Sequence, residues 1–314
     1  AGGPYYCAED EYIEAVDACT QLPSEIDVDK LVQTTKQFAT SGDIDATSNI
    51  ATMRVYLYSG TKDTVVQSGC VKKGQEYFAE FAQESSQVYF QNNISSEHAM
   101  ITDFYGNKCS DLAEPYINNC GYDLAGAILE FILNTKLNSP VNSNQVPLST
   151  FFCRLIYNNL IQISQDQFTP NKEAPKSISM EVKPVHEFWK REEKKNVIMR
   201  NRDIAFVYVP TGCSINPLPS NCILHVVFHG CEQYIQASYN GKQFNDTYAR
   251  NAGYNEWAET NKIVLLYPQA AADDAKGNPD GCWDWWGYNG KNYAWKSGDQ
   301  ITTVANMVSY IFGN

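Results

Sequence analysis

The sequence is short of positive charge. Its 24 lysines and arginines stand against 36 aspartates and glutamates, a formal net charge of -12 at neutral pH with a pI near 4.8. The one cation-rich run, Lys190 to Lys195, sits in WKREEKKN, mixes signs and reads as a solvated helix face. A chain of this kind lacks the basic patch that a nucleic-acid partner requires. Histidine is scarcer still, four in 314 residues, and there is no Cys-x-x-Cys or paired-histidine spacing of the kind zinc sites use. No metal and no cofactor is expected. No apolar run is long enough to cross a bilayer, the best candidate being broken by Glu130. A signal peptide is also lacking, which fits a processed or truncated start.

Cysteine, by contrast, is plentiful: ten residues are many for a reducing compartment, and three pairs are spaced to close short loops. These are Cys7 with Cys19, Cys109 with Cys120 and Cys213 with Cys222, read as disulfides. Cys70 and Cys153 are left over, to pair or to stay free. Sequons at Asn93-Ile-Ser and Asn245-Asp-Thr agree with an N-glycosylated protein of a secreted or lumenal compartment. With 43% hydrophobic residues, the chain can bury one large core or two modest ones, and a single domain over residues 1–314 is the favoured expectation.

Along the chain, Met53 to Tyr58 and Gln87 to Gln91 have the aliphatic and aromatic bias of strands, and Gly69 to Phe81 can form a helix between them. Tyr122 to Leu133 carries Leu124, Ile128, Phe131 and Ile132 at helical spacing. The stretch from Asn138 to Arg202 is polar and interrupted by Pro140, Pro147, Pro170, Pro175 and Pro184, so it reads as an insertion, either a mobile loop or a surface for a protein partner. Strands return at Ile204 to Val209, Ile223 to Phe228 and Ile263 to Tyr267, with helical signals at Tyr254 to Thr260 and Gln300 to Ile311.

Three segments near the carboxyl end carry the chemistry: HVVFHGC at His225 to Cys231, NKIVLLYPQ at Asn261 to Gln269, and GCWDWW at Gly281 to Trp286. Two buried strands stop at special turns, and strand tips of that kind are where open α/β sheets bind ligands. The order and spacing of the three resemble the esterase family of polyhydroxybutyrate depolymerases, α/β-hydrolases that use serine, aspartate and histidine. AGGPYYC at Ala1 to Cys7, YLYSGTKDTVV at Tyr56 to Val66, EHAMITDF at Glu97 to Phe104 and CGYDLAGAILEFI at Cys120 to Ile132 resemble the same family. The acid and histidine segments precede the His-Gly-Cys strand, an order similar to the circularly permuted secreted members. The resemblance implies a permuted α/β-hydrolase fold, with a mostly parallel central sheet flanked by helices and a fourth disulfide, Cys231 with Cys282.

It also implies roles. Asp63 would orient and His98 would act as general base, although an aspartate just past a strand equally serves as a turn or helix cap. The other histidines suit the task less well: His225 lies inside a strand, His186 in the insertion and His229 in the turn. Glu97, before the histidine, departs from the small or apolar residue usual there, and would either raise the histidine pKa or point to solvent. Gly230 and Cys231 would form the oxyanion turn, with the Cys231 N–H as donor. Trp283 and Trp286 would touch substrate, or belong to core and rim. The family's Gly-x-Ser-x-Gly nucleophile elbow occurs nowhere in these residues. It is expected just before Ala1, in a precursor segment or a separate bound peptide. The expected function is therefore secreted carboxylic-ester hydrolysis, on a polyester or a small ester, by a serine N-terminal to this chain. The alternative is a non-catalytic relative with a binding or assembly role.

Overall fold

The structure is a computed structural model describing residues 3–141, 159–170, 204–239 and 241–314. His186, Cys153 and the Lys190 to Lys195 run lie outside the described residues. The chain forms two compact units. The first comprises Ala1–Lys136, Ala275–Gly277 and Trp283–Ile301; the second comprises Leu137–Asp274, Asn278–Cys282 and Thr302–Asn314.

In the first unit, the short helix α1 (Tyr12–Val16) and the longer α2 (Val28–Ser41) precede strand β1 (Val55–Tyr58). Helix α3 (Ser68–Ala79) then connects to β2 (Val88–Gln91), which pairs parallel to β1 in the register Val55 to Val88 and Tyr58 to Gln91. This is a β-α-β unit, the connection that parallel pairing demands. A second sheet holds β3 (Met100–Thr102), β4 (Asn107–Lys108) and β5 (Ile117–Asn119), all parallel, and helix α4 (Leu124–Leu133) packs on β1 and β3. Helix α2 has a clear local cause. Asp27 accepts the Lys30 N–H at 3.0 Å as N-cap, and Gly42 ends the helix at φ +84°. It buries only Leu31, Val32 and Thr35, so its apolar stripe is narrow, although Val28, Leu31, Val32, Phe38 and Ala39 recur at helical spacing.

The second unit is built on a four-stranded sheet in the order β6 (Leu160–Ser164), β7 (Ile204–Tyr208), β11 (Ile263–Tyr267), β8 (Ile223–Val226). Two of its three pairings are antiparallel and only β11 with β8 is parallel, so this sheet is mixed rather than mostly parallel. Strands β7 and β11 are buried at every position, and short aliphatic runs of that kind suit a sheet covered on both faces. A two-residue ladder, β9 (Ser238–Tyr239) with β10 (Lys242–Gln243), leads to helices α5 (Thr247–Asn251) and α6 (Tyr254–Asn261). In the final helix α7 (Asp299–Phe312), Met307, Tyr310 and Ile311 join Ile161, Val207, Val264 and Leu266 in one apolar cluster.

Strand β6 corrects the reading of residues 138–202 as an insertion without a part in the sheet. Leu160 to Ser164 pairs antiparallel with Tyr208 to Ile204, and Leu160, Ile161 and Ile163 are buried. Five residues between polar, proline-containing flanks are too short a signal to stand out by periodicity. Four disulfides are formed: Cys7–Cys19, Cys109–Cys120, Cys213–Cys222 and Cys231–Cys282. Cys70 is buried as a free thiol on α3. Among the described residues, no helix is long and apolar enough to cross a membrane, and no cluster of side chains could hold a metal ion.

The aliphatic cluster of the second unit sets a test of its stability. Leu266, fully buried on β11, leaves a cavity when truncated. Leu266→Ala is expected to lower unfolding stability by about 2–5 kcal/mol, measured by urea titration with the disulfides intact.

Candidate active site

In the first unit, β1 and β2 end in register, so the chain leaves both strands side by side. Their backbones stay laced beyond the sheet: Ser59 N–H donates to Gln91 O at 3.0 Å, Thr61 N–H to Ile94 O at 2.8 Å and Lys62 N–H to Ser96 O at 3.2 Å. Gly60 permits this closeness, because a Cβ there would lie 2.1 Å from the Ser96 carbonyl oxygen. Asp63 follows on one loop and His98 on the other. Asp63 Oδ2 lies 2.9 Å from His98 Nδ1. Asp63 Oδ1 accepts the N–H groups of Val65 and Val66 at 3.0 and 2.7 Å, so the residue is a turn cap and an imidazole partner at once. Its side chain is 8% exposed, whereas that of His98 is 44% exposed. The buried carboxylate fixes Nδ1 as the protonated nitrogen. Nε2 has no hydrogen-bond partner among the described residues and is the nitrogen left to take a proton.

Glu97 does not point to solvent. It is 8% exposed, and its carboxylate turns back to accept from Thr64 and from the His98 backbone. The sequence offered one signal for it, a carboxylate directly beside the only well-placed base, but not its direction.

In the second unit, β8 runs out through Val227 and Phe228 into His229-Gly230-Cys231. The Gly230 N–H donates to Gln233 Oε1 at 2.8 Å and is therefore occupied. Cys231 is exposed, and its N–H makes no hydrogen bond among the described residues. Of the two residues, Cys231 is the one with a free donor. Several groups hold the turn: the Cys231–Cys282 disulfide, the Glu232 N–H to Asp280 O bond at 2.7 Å, and Asn278, whose side chain bonds both Cys282 N (2.9 Å) and Cys282 O (3.0 Å). His229 braces it from within. Nδ1–H donates to Gly230 O at 2.7 Å while Nε2 accepts the Ala270 N–H at 3.0 Å, which makes it neutral. Burial pushes its pKa down to about 4, with the Gly230 bond opposing. Gln233 and Asn278 were not foreseen; an amide side chain in a turn gives no distinguishing sequence signal.

Back in the first unit, Trp286 is 8% exposed and packs against Tyr12, Trp285 and Tyr288 with ring centroids 5.0 to 5.7 Å apart. It is a packed ring, whereas Trp283 is half-buried. The loop is pinned by Asp284, whose carboxylate accepts the N–H groups of Gly287, Tyr288 and Asn289. Of the two sequons, Asn93 is exposed, while Asn245 is half-buried, with φ +51° and its Nδ2 bonded to Gln243 O.

No family model matches the chain. It is 36% identical over 311 residues to poly(3-hydroxybutyrate) depolymerase of Delftia acidovorans, covering 99% of this chain and 53% of that protein. It is 29% identical over 325 residues to polyhydroxybutyrate depolymerase of Talaromyces funiculosus, covering 99% of this chain and 80% of that protein. The chain thus spans about half the length of the first relative. The crystal structure of PHB depolymerase from Penicillium funiculosum superposes with a TM-score of 0.73 at 25% identity over 99% of this chain and 85% of that one. A serine-to-alanine variant of PHB depolymerase complexed with an R3HB trimer matches equally well, at 26% identity. The likeness along nearly the whole chain gives it an α/β-hydrolase-type fold.

The histidines of the second unit, His229 buried and His225 half-buried, make stability depend on pH. Burial pushes His229 and His225 down to about 4, below the usual value of 6.5 in the unfolded chain. Between these values the unfolded state takes up protons and the folded state does not, so the stability is fully present above pH 6.5 and is lost as pH falls toward 4. Each histidine should account for about 3 kcal/mol of that loss. Urea midpoints across this window should fall, and His229→Gln should flatten the slope.

Proposed function

We propose that the chain belongs to the polyhydroxybutyrate depolymerase family, which its likeness along nearly the whole chain supports, and that it is a secreted carboxylic-ester hydrolase acting on poly(3-hydroxyalkanoate) and its oligomers. The observation that carries this reading is the Asp63–His98 pair, a buried carboxylate on Nδ1 of a half-exposed imidazole whose Nε2 is unpartnered among the described residues. His98 acts as general base toward a serine hydroxyl, then as general acid toward the leaving alcohol. Asp63 holds the tautomer and stabilises the imidazolium formed in between. The serine belongs to a part of the protein outside these 314 residues, in keeping with relatives longer than the stretch matched here. The free Cys231 N–H supports its role as an oxyanion donor, on a turn held rigid before the charge develops. Trp283, the less buried of the two candidate rings, is our choice for the acyl-chain contact. We read the two compact units as parts of one α/β-hydrolase-type domain. No observation favours a non-catalytic role.

Secretion is supported by the disulfides and by the exposed sequon at Asn93. Peptide mapping of natively expressed protein is expected to find glycan on Asn93 and none on Asn245, which is tied down by its backbone turn and side-chain bond.

The deciding experiment treats the full-length native protein with a fluorophosphonate and maps the label. A labelled serine outside residues 1–314, together with hydrolysis of 3-hydroxybutyrate oligomers, is expected. His98→Ala and Asp63→Asn should each lower kcat by roughly a thousandfold or more. Unlabelled, folded protein that leaves oligomers and simple esters intact would refute the hydrolase reading.

A further inference from the structure

We propose that Glu97 is a positioning residue for the acid–base pair, its buried carboxylate clamping the loop that carries His98 to the loop that carries Asp63. The inference rests on the reading of Asp63 and His98 as acid and base. Glu97 Oε2 accepts the Thr64 N–H at 3.1 Å and the His98 N–H at 2.9 Å, and Oε1 accepts the Thr64 hydroxyl at 2.9 Å. One carboxylate thus bonds the residue after the acid and the backbone of the base itself. Glutamate is seldom buried to 8% exposure, because desolvating its charge is costly unless several donors compensate. Here three donors do, and all lie on the two loops whose spacing decides whether Nδ1 meets Oδ2.

The residue is also anchored from a third direction. Its own N–H donates to Cys109 O at 2.9 Å, and Cys109 is bridged to Cys120. Just before it, the Ser96 hydroxyl bonds the Tyr58 hydroxyl at 2.5 Å. The backbone lacing reaches Lys62 and Ser96 and stops there. Glu97 is what continues it past Asp63, by side chain where the backbones no longer pair. Without it, the imidazole would still have a carboxylate within reach, but the backbone beneath the ring could shift. A displacement of about 1 Å at a reacting group can cost a hundredfold in rate.

The test uses full-length enzyme carrying Glu97→Ala, Glu97→Gln or Thr64→Val, assayed on a soluble 3-hydroxybutyrate oligomer. Alongside, proton NMR records the downfield Nδ1–H signal of an aspartate-bound imidazole. Alanine should lower kcat by about tenfold to a hundredfold while KM stays within about twofold, with the Nδ1–H signal broadened by exchange. Glutamine, whose Oε1 can still accept both backbone N–H groups, should restore kcat to within about threefold and keep the signal. Thr64→Val removes a single hydroxyl from the clamp at nearly constant volume, so it reports even where the alanine variant does not fold. It should lower kcat by about threefold with KM unchanged and broaden the signal. Wild-type kcat with a sharp signal in Glu97→Ala or Thr64→Val overturns the proposal, as does a glutamine variant that loses the signal. If wild-type enzyme hydrolyses no ester, the hydrolase reading fails, and the Nδ1–H comparison still decides whether Glu97 holds the pair.

Discussion

The in-register parallel pairing of β1 with β2 is the constraint on which the contact between Asp63 and His98 depends. Four residues per strand are a small scaffold, and four ladder rungs alone would leave long side chains on the following loops free to wander. What makes the scaffold precise is that pairing does not end with the sheet. Three further backbone bonds continue it through Ser59, Thr61 and Lys62, and Gly60 lets the loops approach to a distance that any side chain would forbid. By the time the chain reaches Asp63 and His98, few backbone degrees of freedom remain to be fixed, and the cost of orienting the imidazole has been met in folding.

The His229-Gly230-Cys231 turn is fixed by other means. Among the described residues, its backbone beyond Val227 is laced to another segment only once, from Glu232 N–H to Asp280 O, and covalent and side-chain braces supply the rest. The Cys231–Cys282 bridge, the Asn278 amide and the neutral His229 each fix a different backbone atom near the turn. Gln233 satisfies the Gly230 N–H, which, among the described residues, leaves the Cys231 N–H as the one unshared backbone donor of the pair. A donor that is rigid and unshared stabilises developing charge without reorganising, which is where most of its catalytic value lies.

How much of this was legible in the sequence follows from how local each signal is. Strands β1, β2, β7, β8 and β11 announced themselves through aliphatic and aromatic runs, and β11 was bounded to the residue by Asn261-Lys262 and Pro268. Helix α2 was legible from Val28, Leu31, Val32, Phe38 and Ala39 at helical spacing and from the Asp27 cap but was passed over, whereas β6 gives little signal because its five residues lie between polar flanks. Asp63 and His98 could be singled out because motif and strand position agree, and the fold brings their side chains within 2.9 Å. The inward turn of Glu97 could not, since it depends on donors from Thr64, more than thirty residues away. The same holds for His229: its sequence position suggests a turn residue, while its neutrality comes from burial and from the Ala270 N–H on Nε2, which only the folded strand ends supply.

The two sites therefore differ in what limits them. At the first, a buried Asp63 carboxylate meets a His98 ring left 44% exposed, with both backbones held by hydrogen bonds. At the second, the unshared group is a peptide N–H that never changes charge, so the histidine beside it can be buried and neutral. Exchanging the two solutions would fail. A base as buried as His229 would be a poor proton acceptor near neutral pH, because burial has pushed its pKa down to about 4. An oxyanion donor on a turn held only by exposed side chains would lose its preorganisation to competing water. The position of each group in the burial gradient, more than its identity, decides which task it can perform.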